Sequence, residues 1–142
     1  MKISPLWKQL ITESFLKTTI RLPSQFNLAP SSARFAIEQM CRLFPQNKNV
    51  SIRPIRLAGL RAEEIKPYND VTQLILHIHG GAFFLGSLNT HRAFVSDMVA
   101  RTQMQALHVD YPLAPEQPFP EALDALFDIY NTLLVHGIQA QD

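Results

Sequence analysis

The spacing of apolar positions first follows a helical period. Apolar residues recur every three to four positions, which predicts one helix from about Ile3 that Pro23 closes and a second helix after Pro30. Ser31 or Ser32 is predicted to cap the second helix, because a serine side chain satisfies the free backbone N–H groups of a first turn. Pro45 is expected to end it. The apolar sides of the two helices are formed by Ile3, Trp7, Leu10 or Ile11, Phe15, Ala33, Ile37, Met40, Cys41 and Phe44.

The pattern then becomes typical of strands. Residues 50–55 predict an edge strand, since Pro54 is tolerated only where no partner needs its missing N–H. Residues 60–66 predict a weaker second strand, and residues 106–110 predict a fourth. The run at residues 74–79, Leu-Ile-Leu-His-Ile-His, is apolar on both sides, as in a strand buried within a parallel sheet.

Two further helices accompany the last predicted strands. One is predicted over residues 91–101, with Asn89 or Thr90 as its cap, and the other over residues 119–136. Strands that alternate with helices predict an α/β fold. We therefore expect a mostly parallel sheet with helices on both faces.

Composition and charge exclude several classes of function. Of 142 residues, 46% are hydrophobic, so a core can form, and 13 basic against 12 acidic residues give a net charge of +1. Such a weak field does not favour nucleic acid as a partner. The single cysteine, Cys41, cannot form an internal disulfide, which suits a reducing compartment, and we expect a cytoplasmic protein.

The N-terminus does not have the pattern of a secretory signal. Lys8, Glu13 and Lys17 interrupt any apolar segment there. We expect no stable membrane insertion, while a transit peptide or a helix lying on a membrane surface stays open as an alternative.

The candidate chemistry follows the run at residues 74–79. His79, Gly80, Gly81 and Ala82 form a glycine-rich turn at the end of a predicted strand. Glycines permit backbone conformations that a Cβ forbids, so such a turn can aim several N–H groups at one point. That arrangement stabilises the oxyanion formed in acyl transfer. The alternative is a tight turn that only leads into the next helix.

Two motifs in this region resemble those of the hormone-sensitive-lipase-like family of α/β-hydrolase esterases. Residues 79–82, His-Gly-Gly-Ala, are similar to the family's HGGG-type oxyanion loop. Residues 110–122, which begin Asp-Tyr-Pro-Leu-Ala-Pro-Glu, are similar to its DYRLAPEHPFPAA stretch. The resemblance is strong over residues 74–137. It implies the N-terminal half of an α/β-hydrolase fold, with cap helices at residues 1–47 and a partial core of four strands and two helices at residues 48–142.

The resemblance also implies roles for individual residues. Gly81 and Ala82 would donate backbone N–H groups to the oxyanion, and Gly80 would shape the turn. The further implied roles are support of the motifs by His79 and Asp110, and lining of the acyl pocket by Phe83 and Phe84. The implied substrate class is a small carboxylic ester, and neither a metal nor another cofactor is implied.

The chain departs from the family pattern in several respects. Ala82, Pro112 and Gln117 stand where the family usually has Gly, Arg and His. The oxyanion hole would fail only if position 82 required a φ reserved for glycine. The largest departure is that no G-x-S-x-G nucleophile elbow occurs in the sequence. In this fold Ser, Asp and His follow in that order, so we expect all three beyond Asp142 and the chain alone to be inactive.

Three hypotheses of function remain. The chain is a partial carboxylic-ester hydrolase, or a non-catalytic binding protein built on the half-fold, or a subunit complemented by a separate chain that carries Ser, Asp and His. The resemblance implies a neighbouring strand that leads into the nucleophile elbow, and without it the strand at residues 74–79 of the isolated chain becomes a sheet edge without charge or proline. We therefore expect self-association or binding of a complementing second half.

Two other interpretations of the motif region stay open. His77 and His79 share one face of a strand, and with His91 or His108 they could bind zinc. Ser87 could be a nucleophile, although capping of a helix or hydrogen bonding within the loop explains it more simply.

Overall fold

The computed structural model describes residues 29–139. The first predicted helix, from about Ile3 to Pro23, lies outside the described residues. The described elements are α1 Pro30–Cys41, β1 Val50–Leu57, β2 Leu60–Pro67, β3 Leu74–Ile78, α2 Leu88–Thr102, β4 Gln105–Val109 and α3 Glu121–Val135. Each helix and strand that the sequence predicts within this range is present, with ends shifted by a few residues.

The four described strands form one sheet in the order β1-β2-β4-β3. The α/β class is as predicted, but the described sheet is mixed rather than mostly parallel. β1 pairs with β2 and β2 with β4 in antiparallel fashion, and β3 pairs with β4 in parallel. The physical reason lies in the turn between β1 and β2. Ala58 and Gly59, with φ of 48° and 81°, form a two-residue connection, which joins antiparallel neighbours only.

A helix covers each face of the sheet, as predicted. On the face covered by α2, the buried residues are Val50, Ile65, Val95, Val99 and Ala106. On the face covered by α3, they are Ala62, Leu107, Val109, Ile129 and Leu133. Successive residues of β4 belong to opposite clusters because side chains alternate between the two faces of a strand.

The start of α1 differs from the prediction. Its N-cap is Ala29 and its first residue is Pro30, so neither Ser31 nor Ser32 is the cap. Proline suits this position because its fixed φ is already helical and its missing N–H would have had no partner. The helix ends at Cys41, before the predicted Pro45, and none of its residues is buried among the described residues.

The start of α2 also differs from the prediction. Its N-cap is Ser87, and neither Asn89 nor Thr90 takes that position. Ser87 and Thr90 form a capping box, in which the N–H of Ser87 donates to the Thr90 hydroxyl at 2.9 Å. Ser87 is therefore favoured over Asn89 or Thr90 as the N-cap, since the two reciprocal bonds give partners to two backbone donors at the start of the helix.

β3 is an edge of the described sheet, as expected. Its described partner is β4, and Ile78 at its end is 46% exposed. The segment Leu-Ile-Leu-His-Ile carries neither charge nor proline. The opposite edge strand, β1, carries Pro54 and the charged residues Arg53 and Arg56, which protect an edge from pairing with another chain.

No helix in the part of the chain that the structure describes has the length and apolar character needed to cross a bilayer. The long helices α2 and α3 have 15 residues each, short of the roughly 20 that a span requires.

Candidate active site

The segment after β3 is a tight loop in which consecutive residues have positive φ. We call residues 79–87 the glycine loop. The φ of Gly81 is 132°, that of Ala82 is 54° and that of Phe83 is 57°. The carbonyl of Gly81 accepts hydrogen bonds from the N–H groups of Phe84 at 3.0 Å and Leu85 at 2.8 Å. These two bonds close the loop and define its shape.

Gly81 and Ala82 tolerate side chains very differently. A Cβ at Gly81 would lie 2.0 Å from the carbonyl oxygen of Leu85, and a φ of 132° lies outside the region that other residues readily adopt. Ala82 has a φ of 54°, a left-handed value that an L-residue reaches at a cost of about 1–2 kcal/mol. Position 82 therefore does not require a φ reserved for glycine.

The backbone donors of the loop are available. Within residues 29–139, the N–H groups of Gly80, Gly81 and Ala82 donate no hydrogen bond. Gly80 and Ala82 are exposed and Gly81 is half-buried, so water or a ligand can reach this side of the loop. Free donors at the carboxyl end of a strand are what stabilisation of an oxyanion requires. Their role as an oxyanion hole stays a prediction.

His79 lies buried at the start of the loop. Its ring stacks on the ring of Tyr111 with 4.3 Å between centroids, and the Tyr111 hydroxyl donates to the His79 carbonyl at 2.8 Å. Its Nδ1 lies 3.0 Å from the carbonyl oxygen of Gly80. Gly86 passes so close that a Cβ there would lie 2.4 Å from this same Nδ1. The ring therefore fills the space that the loop encloses.

Asp110, the other residue expected to support the motifs, faces β2. Its N–H donates to the carbonyl of Arg61 at 3.0 Å, and its carboxylate lies 3.7 Å from the Arg61 guanidinium. Its neighbour Tyr111 makes the contact between the second motif and the glycine loop, and sequence reasoning did not single out this tyrosine. The sequence signal that could have indicated it is its position directly after a predicted core strand. A tyrosine there is expected to be buried, and a buried tyrosine hydroxyl needs a hydrogen-bond partner.

The two phenylalanines of the loop differ in their surroundings. Phe83 is exposed and meets the ring of Tyr111 edge-on at 6.0 Å between centroids. Phe84 is half-buried below the guanidinium of Arg34, which lies 5.8 Å from its ring centroid. A cavity of about 470 Å³ lies between α1 and residues 110–117, and neither phenylalanine lines it. Their role in lining an acyl pocket stays a prediction.

The side chain of Ser87 is engaged on two sides. Besides capping α2, its hydroxyl donates to Glu38 Oε1 at 2.8 Å. A nucleophilic serine instead donates to a general base that a third group orients, most often a histidine. The contacts of Ser87 therefore favour its interpretation as a helix cap and loop anchor.

Four histidines pack together beneath the glycine loop. The ring centroids of His77 and His108 lie 4.8 Å apart, and those of His79 and His91 lie 5.4 Å apart. Burial, with a smaller effect of the neighbouring histidine charges, lowers the pKa of His108 to about 3 and that of His77 to about 4. No group of three or more His, Cys, Asp or Glu within the described residues is placed to hold a metal ion. The geometry of this cluster therefore does not favour the zinc interpretation.

Two ion pairs near the site were not predicted. Glu63 is buried, and the Nε of Arg92 donates to its two carboxylate oxygens at 2.9 and 3.0 Å. The Nη1 of Arg34 lies 2.9 Å from each carboxylate oxygen of Glu116. The partners are 29 and 82 positions apart, so no local pattern in the sequence signals either pair.

Comparison with known proteins shows which proteins the chain resembles. Residues 75–142 match the family described as the α/β hydrolase fold. Over its 142 residues the chain is 66% identical to a protein named Esterase from Acinetobacter venetianus, and it covers 47% of that protein. Over 92 residues, which are 65% of the chain, it is 36% identical to the hormone-sensitive lipase of Bos taurus, of which it covers 11%. The chain thus spans less than half the length of these relatives.

Solved structures agree with this assignment. An esterase from the bacterial hormone-sensitive lipase family, 28% identical, superposes with a TM-score of 0.81 over 98% of this chain and 46% of its own. An esterase/lipase from an uncultured bacterium, 32% identical, superposes with a TM-score of 0.73 over 80% of this chain and 38% of its own. With its two motifs in order and its sheet in place, the chain has an α/β-hydrolase fold and is similar to the N-terminal part of hormone-sensitive-lipase-like esterases.

Proposed function

We propose that this chain forms the first half of a carboxylic-ester hydrolase and supplies its oxyanion hole. The observation that carries the proposal is the glycine loop. The N–H groups of Gly81 and Ala82 have no described partner and lie three and four residues after the carboxyl end of β3. Gly80 precedes them and lies exposed beside them, so a small ester can approach the two donors.

In the proposed reaction a serine oxygen bonds to the carbonyl carbon of the ester, and its proton passes to a histidine. The carbonyl oxygen takes up the electron pair, and Gly81 and Ala82 donate their N–H groups to it. Collapse of this intermediate breaks the bond to the leaving oxygen, which takes the proton from the histidine and departs as the alcohol, and leaves an acyl-serine that water hydrolyses through a second oxyanion. Loss of one such donor typically lowers the rate by about 10²–10³-fold.

The nucleophile, in this proposal, comes from polypeptide outside the 142 residues. The sequence contains no G-x-S-x-G pattern, and Ser87 is engaged with Thr90 and Glu38. The serine, aspartate and histidine are supplied either by a continuation of the chain or by a separate chain. The alternative hypothesis is a non-catalytic binding protein that uses the same half-fold.

Two uncovered surfaces support a complementing polypeptide. The outer side of β3 has no partner strand among the described residues. On α3, apolar side chains recur at helical spacing next to the buried side of the helix and remain exposed: they are Leu123, Phe127, Tyr130 and Leu134. We infer that the complementing polypeptide adds a strand beside β3 and packs its apolar residues on this stripe of α3.

The test is to restore an esterase from two parts. The Acinetobacter venetianus esterase supplies the second part, namely the portion that this chain does not cover. The chain alone is expected to hydrolyse p-nitrophenyl butyrate at the background rate, and co-expression with the second part is expected to produce turnover. A serine-directed phosphonate should then label only the second part.

The control uses two glycines. Gly81→Ala should abolish the restored turnover, because its Cβ would collide with the backbone of Leu85. Gly59→Ala should retain turnover, because a Cβ at Gly59 meets nothing within 4 Å. Turnover by the chain alone, with Ser87 labelled, would overturn the proposal. A complex that forms but never turns over would favour the non-catalytic hypothesis instead.

A further inference from the structure

We propose that Arg34 is a positioning residue for the glycine loop. Its guanidinium joins helix α1 to the loop and to the segment around Ala114, and it thereby holds Gly81 and Ala82 in the conformation that leaves their N–H groups free. This inference rests on the proposed role of those N–H groups as an oxyanion hole.

One guanidinium makes contacts to three partners. The Nε of Arg34 donates to the carbonyl of Phe84 at 2.9 Å, and Nη2 donates to the carbonyl of Ala114. Nη1 lies 2.9 Å from both carboxylate oxygens of Glu116. The side chain is 23% exposed. A planar fork with five donors can satisfy such a set at once, which the compact ammonium group of a lysine cannot.

The loop needs an external support at this point. Ala82 and Phe83 have successive left-handed φ values of 54° and 57°, a costly conformation for residues that carry a Cβ. The carbonyl of Phe83 accepts a hydrogen bond from the N–H of Ala114 at 2.8 Å. The next carbonyl, that of Phe84, accepts from Arg34. The carbonyls of Phe83 and Phe84 are therefore each held by a hydrogen bond. Arg34 also binds the carbonyl of Ala114, the residue whose N–H holds the Phe83 carbonyl.

The same helix holds the far end of the loop. Glu38 lies four positions after Arg34, and so on the same side of α1, and its carboxylate accepts the hydroxyl of Ser87 at 2.8 Å. None of the described residues of α1 is buried. Polar contacts from Arg34 and Glu38 therefore attach this helix to both ends of the loop.

Amide hydrogen exchange in the purified chain tests the proposal directly. The reporters are the hydrogen-bonded amides of the loop and its support, at Phe84, Leu85 and Ala114, and the reference is the buried strand β4. Arg34→Gln is expected to accelerate exchange of the reporters by about tenfold or more and to leave β4 unchanged, because the loop opens locally. Unchanged reporters, or an equal acceleration in β4, would overturn the proposal.

Two further variants separate geometry from charge. Arg34→Lys keeps the positive charge beside Glu116 but loses the planar guanidinium with its several donors. The reporter amides should therefore exchange about as fast in Arg34→Lys as in Arg34→Gln. Full rescue by lysine would show that charge alone suffices and would contradict the proposal. Arg42→Gln is the matched control, since Arg42 is exposed at the end of the same helix and its side chain donates a long hydrogen bond of 3.4 Å to Gln39 of that helix, not to the loop.

The restored two-part enzyme supplies an independent readout. An oxyanion contact is stronger in the transition state than in the ground state, so Arg34→Gln should lower kcat by about tenfold or more with little change in KM. A rise in KM alone would contradict the positioning role. If the exchange result holds and no turnover is ever restored, the support by Arg34 stands and the proposed hydrolase function fails.

Discussion

The ring of Tyr111 lies nearly parallel to the ring of His79, with 19° between their planes, and its hydroxyl donates to the His79 carbonyl. The contact joins the segment after β4 to the segment after β3, which are parallel neighbours in the sheet. Because the carboxyl ends of parallel neighbours lie at the same edge, two motifs separated by a helix in the sequence meet in space. The Tyr111 segment and the glycine loop therefore form one structural unit.

Gly81→Ala is expected to lower the free energy of unfolding far more than Gly59→Ala. Both residues have positive φ, but a Cβ at Gly81 meets the Leu85 carbonyl oxygen at 2.0 Å, while a Cβ at Gly59 meets nothing within 4 Å. We expect a loss of about 3 kcal/mol or more for Gly81→Ala and about 1 kcal/mol for Gly59→Ala, measured by urea unfolding. Similar losses in the two variants would mean that the loop rearranges freely.

Ser87→Ala is expected to destabilise the chain by about 1–2 kcal/mol, because it removes an N-cap and the bond to Glu38. The matched control is Ser51→Ala, since Ser51 is exposed and its hydroxyl makes only a long contact of 3.4 Å to the Lys66 carbonyl. Urea unfolding of both variants measures the difference. A serine-directed phosphonate should leave Ser87 unmodified in the unaltered chain, and stoichiometric labelling of Ser87 would identify it as a nucleophile.

The chain is expected to lose stability as pH falls below about 6.5. The folded-state pKa of His77 is about 4 and that of His108 about 3, both lowered from 6.5 mainly by burial. The unfolded state then binds more protons than the folded state. The stabilisation is complete above pH 6.5 and decreases as pH falls toward 4, by up to about 1.4 kcal/mol per pH unit for each histidine.

The measurement is urea unfolding at several pH values between 7.5 and 4.5. His108→Phe should flatten the dependence, whereas His136→Phe, at an exposed position, should not. Glu63, the carboxylate nearest His108 at 3.9 Å, is engaged by Arg92, so it does not offset the burial. A stability that is constant across this range would contradict the prediction.

The edge strand β3 is expected to drive self-association of the isolated chain. Ile78 is 46% exposed at the end of this edge, and no charge or proline protects it. Ile78→Lys should shift the chain toward monomer in sedimentation at micromolar concentration. Ile75 is less suitable for this test, because it packs against the core below α2.

The control for the edge is Leu43→Lys, since Leu43 is 82% exposed and lies outside the sheet. This variant should sediment as the unaltered chain does. A well-folded monomer whose stability does not depend on concentration would show that β3 is not the associating edge.

The sequence by itself determined the local elements and the place of the candidate site. The run Leu74–Ile78 is apolar at every position but one, and that pattern predicts a strand, which is present. The burial on both faces that the pattern also predicts is not seen in the described sheet, because β3 lies at its edge: four of its residues are half-buried and Ile78 is exposed. Gly81 and Gly86 follow it at positions where the structure leaves no room for a Cβ. Such signals are local, because a strand period and a glycine requirement depend on a few consecutive residues.

Only the tertiary structure decided how the segments meet. Arg34 reaches Phe84 across 50 positions and Glu116 across 82, and on the sequence it resembles any solvated charge on a helix. The antiparallel direction of β2 relative to β1 depended on the short turn at Ala58 and Gly59. The position of Ser87 as the N-cap of α2 depended on its bonds to Thr90 and Glu38. The physical reason is that contacts between distant residues depend on strand register and packing, which the period of a single segment does not contain.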